Sequence, residues 1–465
     1  VVSGHDLAMK AIATVPVHNP ATGAVLTHVP SASLEEVDAA IGRAATAFPA
    51  WRAVAPGDRA RLLRRFADLV DAHAEELALL EVTNAGHVIG NARWEAGNVR
   101  DVIEYYAASP ERHFGLQIPV AGGIDVTFHE PLGVVGIIVP WNFPMAIAGW
   151  GFAPALAAGN TVVLKPAELT PLSALRIGEL AVEAGIPPDV FQVISGKGSV
   201  VGWRFVTHPA VRKVCFTGST EVGKGIMAGC AEQVKRVTLE LGGKSANVVF
   251  ADADIELAAA RAPYGVFDNA GQDCCARSRI LVERSAYDQF MALLEPAVRG
   301  VVVGDPLDER TEMGPLISPS HLEEVSSFVP DDAPVAFRGE APAGPGNWFA
   351  PTVLAPVERS ARAVTEEIFG PVVVVVPFED EAEAVAIAND SIYGLSGSIW
   401  SQNVGRALRV ARAIDSGNLS VNSHSSVRYW SPFGGFKQSG IGRELGPDAL
   451  GAFSDVKNVF ISTEE

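Results

Sequence analysis

Residues 133–165 read GVVGIIVPWNFPMAIAGWGFAPALAAGNTVVLK, and how this stretch is parsed decides the fold. From Pro131 to Leu164 there is no charged residue and no histidine, so the segment is built to leave water. A membrane span needs about 20 apolar residues in continuous helix. Here Pro140, Pro144 and Pro154 and several glycines interrupt the run, and Asn142 would face lipid. The stretch parses better as a buried strand (133–139), a proline-fixed turn, a buried helix (146–158) and a second strand (161–165).

The alternation continues outward. Apolar β-rich runs at 190–195, 213–217 and 236–241 are separated by helical patterns near 171–185, 199–206 and 220–230. Continuous apolar strands alternating with helices predict a parallel sheet covered on both faces. A second series follows, with strands near 246–250, 279–283, 372–378, 396–400 and 418–422 and helices near 254–267, 285–299, 380–389 and 403–413. Two α/β units are therefore expected, in keeping with a 465-residue chain. Upstream, Pro56-Gly57-Asp58 opens an amphipathic helix in which Leu62, Leu63, Phe66, Leu69, Val70, Leu77 and Leu80 recur at three- and four-residue spacing. Residues 117–130 read as a hairpin about Ala121-Gly122-Gly123, and the Pro-, Gly- and Ala-rich stretch 330–351 as a surface loop.

Composition narrows the function classes. Hydrophobic residues make up 48% and charged residues 19%, a globular balance. The net charge of −18 argues against nucleic acid or an anionic membrane as partner. Four cysteines, two of them adjacent, make no disulfide framework and fit a reducing, cytoplasmic setting. There is no CxxC and no pair of histidines three to five residues apart, so no metal site is expected. Val1 to Val17 carries Asp6 and Lys10 and lacks a signal-peptide core.

Several short motifs fall at strand ends. Gly271-Gln272-Asp273-Cys274-Cys275 offers a thiol, a good nucleophile toward a carbonyl when ionised and accessible, although a cysteine pair alone is more often a small buried hydrophobe. Glu240-Leu241-Gly242-Gly243-Lys244 ends an apolar strand in a carboxylate able to activate water, and its two bare glycines leave room for a flat ring. Pro140-Trp141-Asn142-Phe143-Pro144 holds an amide in a rigid turn, where its N–H can stabilise an oxyanion or serve the turn itself. Thr217-Gly218-Ser219-Thr220-Glu221-Val222-Gly223 opens a helix whose free N–H groups suit phosphate oxygens, without the GxGxxG spacing. Lys165-Pro166-Ala167-Glu168 stands where ligands of open α/β sheets bind and can grip a sugar or form a surface ion pair. Glu367-Ile368-Phe369-Gly370-Pro371 sets a carboxylate and a ring beside a buried strand.

Each signal is weak alone. Their order, with Glu240 standing 34 residues before Cys274 and Ser431-Pro432-Phe433-Gly434-Gly435 closing the series, resembles the aldehyde dehydrogenase superfamily from about Asn19 to Val459. The resemblance implies an aldehyde dehydrogenase-like α/β fold of two doubly wound domains plus a small β oligomerisation arm. The NAD-binding domain would comprise 1–112 and 132–241, the catalytic domain 242–440, and the arm 113–131 and 451–465, pairing with another subunit in a homodimer or homotetramer. It implies Cys274 as nucleophile, Asn142 with the Cys274 N–H as oxyanion hole, and Glu240 as hydrolytic base. For the cofactor it implies Lys165 and Glu168 on the adenosine ribose, Gly218, Ser219 and Gly223 near the pyrophosphate, Glu367 on the nicotinamide ribose, and Trp141, Leu241, Gly242 and Phe369 shaping the site; Lys165 is also counted with the catalytic set. Glu168 would repel a 2′-phosphate, favouring NAD over NADP. By position, Asn98, Phe143, Ile147, Trp150, Asp273, Val427, Trp430 and Phe433 line the substrate entrance.

Some residues depart from the pattern. Asp273 is similar to the residue before the cysteine in aminobutyraldehyde-oxidising members, which implies an aminoaldehyde or γ-glutamyl aminoaldehyde substrate, with Trp150 and Trp430 available for cation–π contacts. Arg277 and Ser420 replace smaller or more aromatic residues, and the strands usual before Asn19 look missing or altered. Three rivals stand beside the dehydrogenase: a CoA-acylating enzyme, which Glu240 opposes; a silent binding protein on the same scaffold; and a thiol protease, for which no His–Asn pair is seen.

Overall fold

The structure, a computed structural model, describes residues 13–425 and 427–464, so the part of the Val1–Val17 stretch before residue 13, read above as lacking a signal-peptide core, lies outside it. Two sheets organise the chain. In the first, strands run in the order Gly440–Ile441, Arg236–Glu240, Val211–Thr217, Val134–Ile138, Thr161–Lys165 and Phe191–Val193, and all but the first are parallel. Alternate residues feed opposite cores. Val135, Ile137, Val139, Val162, Leu164 and Cys215 pack beneath helices Pro56–Ala72, Ile89–Ala107, Pro144–Ala158 and Leu172–Glu183. Val134, Ile138, Val163, Val214 and Phe216 pack against helices Leu34–Arg52, Trp203–Thr207 and Thr220–Ala231 on the other face. Two-sided burial is why these strands read as unbroken apolar runs. Helix Pro144–Ala158 is buried along all but its last residue, with Pro144 in its first turn and Gly159 capping it at φ +96°.

The second sheet runs Val335–Arg338, Thr352–Leu354, Val372–Phe378, Arg279–Glu283, Ala246–Val249, Ser396–Trp400 and Asn418–Val421, parallel except for its first strand. Helices Ile255–Phe267, Tyr287–Arg299, Glu381–Asn389 and Val404–Ala413 cover it. The link from Glu240, which ends the last parallel strand of the first sheet, to Ala246, the first residue of the second, is the segment Leu241-Gly242-Gly243-Lys244-Ser245. No helix among the described residues is long and apolar enough to cross a membrane.

Two expectations need correction. The stretch 330–351 is not all loop: Val335–Arg338 forms an antiparallel edge strand, half exposed and therefore without a continuous apolar run. A strand does precede Asn19, Thr14–His18, paired with Val25–Pro30. The tail strand Ser454–Ser462 runs antiparallel to Gly123–Pro131, and Gln117–Ile118 completes that small sheet, so hairpin and tail form one unit. Residues 441–450, left between the expected domains, return to the first unit with their neighbours: Gly440–Ile441 joins its sheet, and Leu445, Leu450 and Phe453 enter its core.

Candidate active site

Cys274 lies on the crossing between helix Ile255–Phe267 and strand Arg279–Glu283. Just before it, Asn269, Ala270 and Gly271 take positive φ of 50°, 55° and 70°. Left-handed backbone costs a non-glycine L-residue roughly 1–2 kcal/mol, so something must hold this turn. Tight packing and hydrogen bonds do. A Cβ on Gly271 would lie 2.2 Å from the Gly370 oxygen. The Asn269 amide donates to the carbonyls of Asn142 (2.8 Å) and Gln272 (3.3 Å). The Gln272 amide donates back to the Asn269 carbonyl at 3.0 Å, and its oxygen accepts the Ile317 N–H at 2.8 Å. Asn142 closes the network by donating its own amide to the Gln272 carbonyl at 3.0 Å. The buried amide of the turn after the first strand is thus fastened to the cysteine loop of the other half of the chain.

A cavity of about 330 Å³ opens over this junction, and Cys274 and Glu240 both line it. Of the expected substrate residues, Phe143, Ile147, Trp150, Asp273, Val427 and Phe433 also line it. Two do not. Asn98 is buried behind the wall, accepting the Trp150 indole N–H at 2.9 Å, and so holds that ring in place. Trp430 is 53% exposed and packs edge-on against Tyr429, outside the lining. The cavity wall also includes residues that the sequence did not single out for it: Asn91, Trp94, Thr217, Tyr264, Asp268, Cys275, Arg277, His424 and Glu444.

The electrostatics are those of a closed site. Both Glu240 oxygens are buried without a hydrogen-bond partner among the described residues. Burial, then the facing Glu444 carboxylate, pushes the Glu240 carboxyl well above the usual range. Glu444 is itself pushed up to about 7 by burial, with Lys213 pulling the other way. The Cys274 thiol is also raised, first by its hydrogen bond with Cys275, then by burial and by the charges of Cys275, Asp273 and Glu367. Arg277 answers part of that charge: it is buried, donates to the Cys275 and His424 carbonyls at 3.1 and 2.8 Å, and opposes the rise that burial imposes on the Asp273 carboxyl.

The expected cofactor residues gather at the carboxyl ends of four adjacent parallel strands, where α/β sheets bind ligands. Lys165 ends one strand, buried, with its ammonium donating to the Pro166 carbonyl at 2.8 Å. Exposed Glu168 follows and accepts the Gly198 N–H at 3.0 Å. After strand Val211–Thr217, Ser219 caps helix Thr220–Ala231, its hydroxyl accepting the Val222 N–H at 3.4 Å. Gly218 donates to the Glu240 carbonyl, and a Cβ on Gly223 would strike the Leu241 side chain at 2.4 Å. Glu367 accepts the Gly243 N–H at 2.8 Å, and a Cβ on Gly242 would sit 2.2 Å from its other oxygen. Phe369 takes φ +55°, its carbonyl held by the His321 ring at 2.7 Å and its ring edge-on to Trp141 at 5.2 Å. Two groups among the described residues have metal-ligand chemistry: Asp273 with Cys274 and Cys275, and the buried set Glu81, His87 and Glu95. In the second, His87 is already hydrogen-bonded to Glu95.

A family model described as the aldehyde dehydrogenase family matches residues 8–459. The chain belongs to that family. It is 42% identical to a phenylacetaldehyde dehydrogenase of Pseudomonas fluorescens, over 99% of this chain and 95% of the relative. It is 40% identical to a betaine aldehyde dehydrogenase of Cereibacter sphaeroides, over 99% and 96%. A betaine aldehyde dehydrogenase of Staphylococcus aureus, solved in complex with NAD+, superposes with a TM-score of 0.95 at 38% identity, covering 97% of this chain and 92% of that one. The sequence-based resemblance and the doubly wound α/β architecture are thereby established, and this aldehyde dehydrogenase is an oxidoreductase.

Proposed function

We propose that this aldehyde dehydrogenase converts an aldehyde to its carboxylic acid through a thioester on Cys274, with NAD as cofactor. The observation that carries the reading is the convergence of three groups from distant parts of the chain: Cys274 and Glu240 on one cavity wall, and Asn142 tied to the residue two before Cys274. An amide nitrogen carries two hydrogens. The bond to Gln272 uses one and fixes the group, so the second can meet the oxygen on which charge develops when the Cys274 sulfur adds to the aldehyde carbon. After oxidation of that adduct the acyl group is left on Cys274. Glu240 then takes a proton from water as it attacks; its raised pKa makes it a stronger base toward water than an ordinary carboxylate.

The cradle fits a dinucleotide. Gly242, where a methyl group would collide with Glu367, gives the bare backbone a flat ring needs, and the N-terminus of helix Thr220–Ala231 offers N–H groups to a pyrophosphate. Lys165, Glu168 and Glu367 would hold the two riboses, with Trp141, Phe369, Leu241, Gly218, Ser219 and Gly223 shaping the space between. NAD bound there supplies the hydride acceptor. An exposed carboxylate at Glu168 disfavours the extra phosphate of NADP. The Staphylococcus relative's NAD+ complex supports this choice.

An aminoaldehyde is the finer reading. Betaine aldehyde dehydrogenases among the relatives support it, as do the two aspartates on the cavity wall. The division into NAD-binding, catalytic and arm domains is supported by the two large sheets and the small sheet of Gln117–Ile118, Gly123–Pro131 and Ser454–Ser462. Association into a homodimer or homotetramer is supported by the apolar Val456, Phe460, Ile461 and Phe128 that the small sheet leaves exposed.

The test is product analysis with Cys274→Ala beside the wild type. The expected result is stoichiometric acid and NADH from the wild type and none from the variant. An active variant, or acyl-CoA as the required product, rejects the scheme.

A further inference from the structure

The finer reading leaves open which anion meets the charged end of an aminoaldehyde. Asp273, beside the thiol, is largely committed. One of its oxygens accepts the Cys275 N–H at 2.8 Å, and the Arg277 cation stands near it. Asp268 differs. It sits in the turn just after helix Ile255–Phe267, and its hydrogen bonds from the Asn91 amide and the Asn269 N–H both end on Oδ1. No salt bridge to an arginine or lysine is found for it among the described residues. Its charged neighbours are His87, already bonded to Glu95, and Asp273. Burial and Asp273 push its pKa up to about 6, which still leaves an anion at neutral pH.

Its position is the second observation. Asp268, Asn91 and Tyr264 line the reaction cavity and also a neighbouring cavity of about 700 Å³, bounded by the start of helix Ile89–Ala107 and the end of helix Tyr287–Arg299. These three residues form a shared wall between the two spaces. Beside it, Tyr264 and Trp94 are 60% and 52% exposed. A carboxylate that shares a cavity lining with two exposed aromatic rings matches an organic cation, which gains from both the charge and the ring faces.

We infer that Asp268, with Tyr264 and Trp94, receives the ammonium end of a substrate whose aldehyde reaches Cys274, and that the second cavity accommodates substituents on that nitrogen. The inference rests on the proposed aldehyde oxidation. It explains why a cationic substrate need not press its charge against the thiol, where a second charge would change nucleophile chemistry as well as binding.

The experiment compares 4-trimethylammoniobutanal with its uncharged isostere 5,5-dimethylhexanal, reading the ratio of kcat/KM values for wild type, Asp268→Asn, Asp273→Asn and Tyr264→Ala. Wild type is expected to favour the cation, and Asp268→Asn to lower the ratio about tenfold or more, about 1.4 kcal/mol or more. Tyr264→Ala, at an exposed position, should lower it less, and Asp273→Asn should keep most of it. A ratio that survives Asp268→Asn and Tyr264→Ala, or that collapses only with Asp273→Asn, overturns the inference while leaving aldehyde oxidation intact. Wild type oxidising neither compound would remove the underlying reading and the inference with it.

Discussion

The two sides of Cys274, the proposed nucleophile, are built by different means. On the cofactor side the surface is mostly backbone: strand ends, a helix N-terminus, and glycines whose missing side chains open the space, as Gly242 and Gly223 do. On the substrate side the surface is side chains, drawn from helices Ile89–Ala107, Pro144–Ala158 and Ile255–Phe267 and from the segment around Val427 and Phe433. A backbone surface suits a ligand that never changes. A side-chain surface can be respecified one residue at a time without disturbing the sheet beneath, and Asp268, Asp273 and Arg277 lie on that surface.

This contrast can be broken at the hinge between the sides. Asn142→Ala removes the donor that both halves jointly position, and kcat should fall by about 10²–10³, or about 2.7–4 kcal/mol. Steady-state rates within a few-fold of wild type would show that the Gln272 tether serves folding alone. Next in size is Gly242→Ala, which puts a methyl group into the contact with Glu367. NAD affinity should weaken about tenfold, about 1.4 kcal/mol, by calorimetric titration; undiminished affinity would mean that this backbone does not face the cofactor. The smallest effect is expected from Asp273→Asn. The Cys275 hydrogen bond and burial raise the Cys274 thiol pKa, and the Asp273 charge adds to that rise, so removing the charge should move the pH midpoint of iodoacetamide alkylation downward. A midpoint that stays or rises contradicts that sign.

The same contrast explains what was legible in the sequence. Val134–Ile138, Thr161–Lys165 and Val372–Phe378 are buried on both faces and announce themselves as apolar runs, so both parallel sheets could be traced. Two edge strands could not. Val335–Arg338 is half exposed, and Gly440–Ile441 is two residues held in place by Glu240 and Leu239. The backbone side of the site was readable because glycine and proline spacing carries it. Glu444, Asp268 and Tyr264 escaped because nothing local marks them: their meaning comes from the elements they face across the cavity. Asn98 and Trp430 fell short for the converse reason. Position along the chain placed them near the entrance, but the fold turned one behind the wall and the other out to solvent.

The brief pairing of Gly440–Ile441 with the strand that ends in Glu240 has a consequence for biosynthesis. A ribosome that has reached residue 430 has already made Cys274, Asn142 and Glu240, the proposed nucleophile, oxyanion amide and hydrolytic base. It has not yet made Glu444, nor Ser439, whose carbonyl accepts the Leu241 N–H and whose hydroxyl donates to the Gly242 carbonyl. Domains tend to fold as they emerge, but here the walls around Glu240 are finished only by chain arriving some 200 residues later. A nascent enzyme therefore gains its reactive groups long before it gains the enclosure that makes them selective.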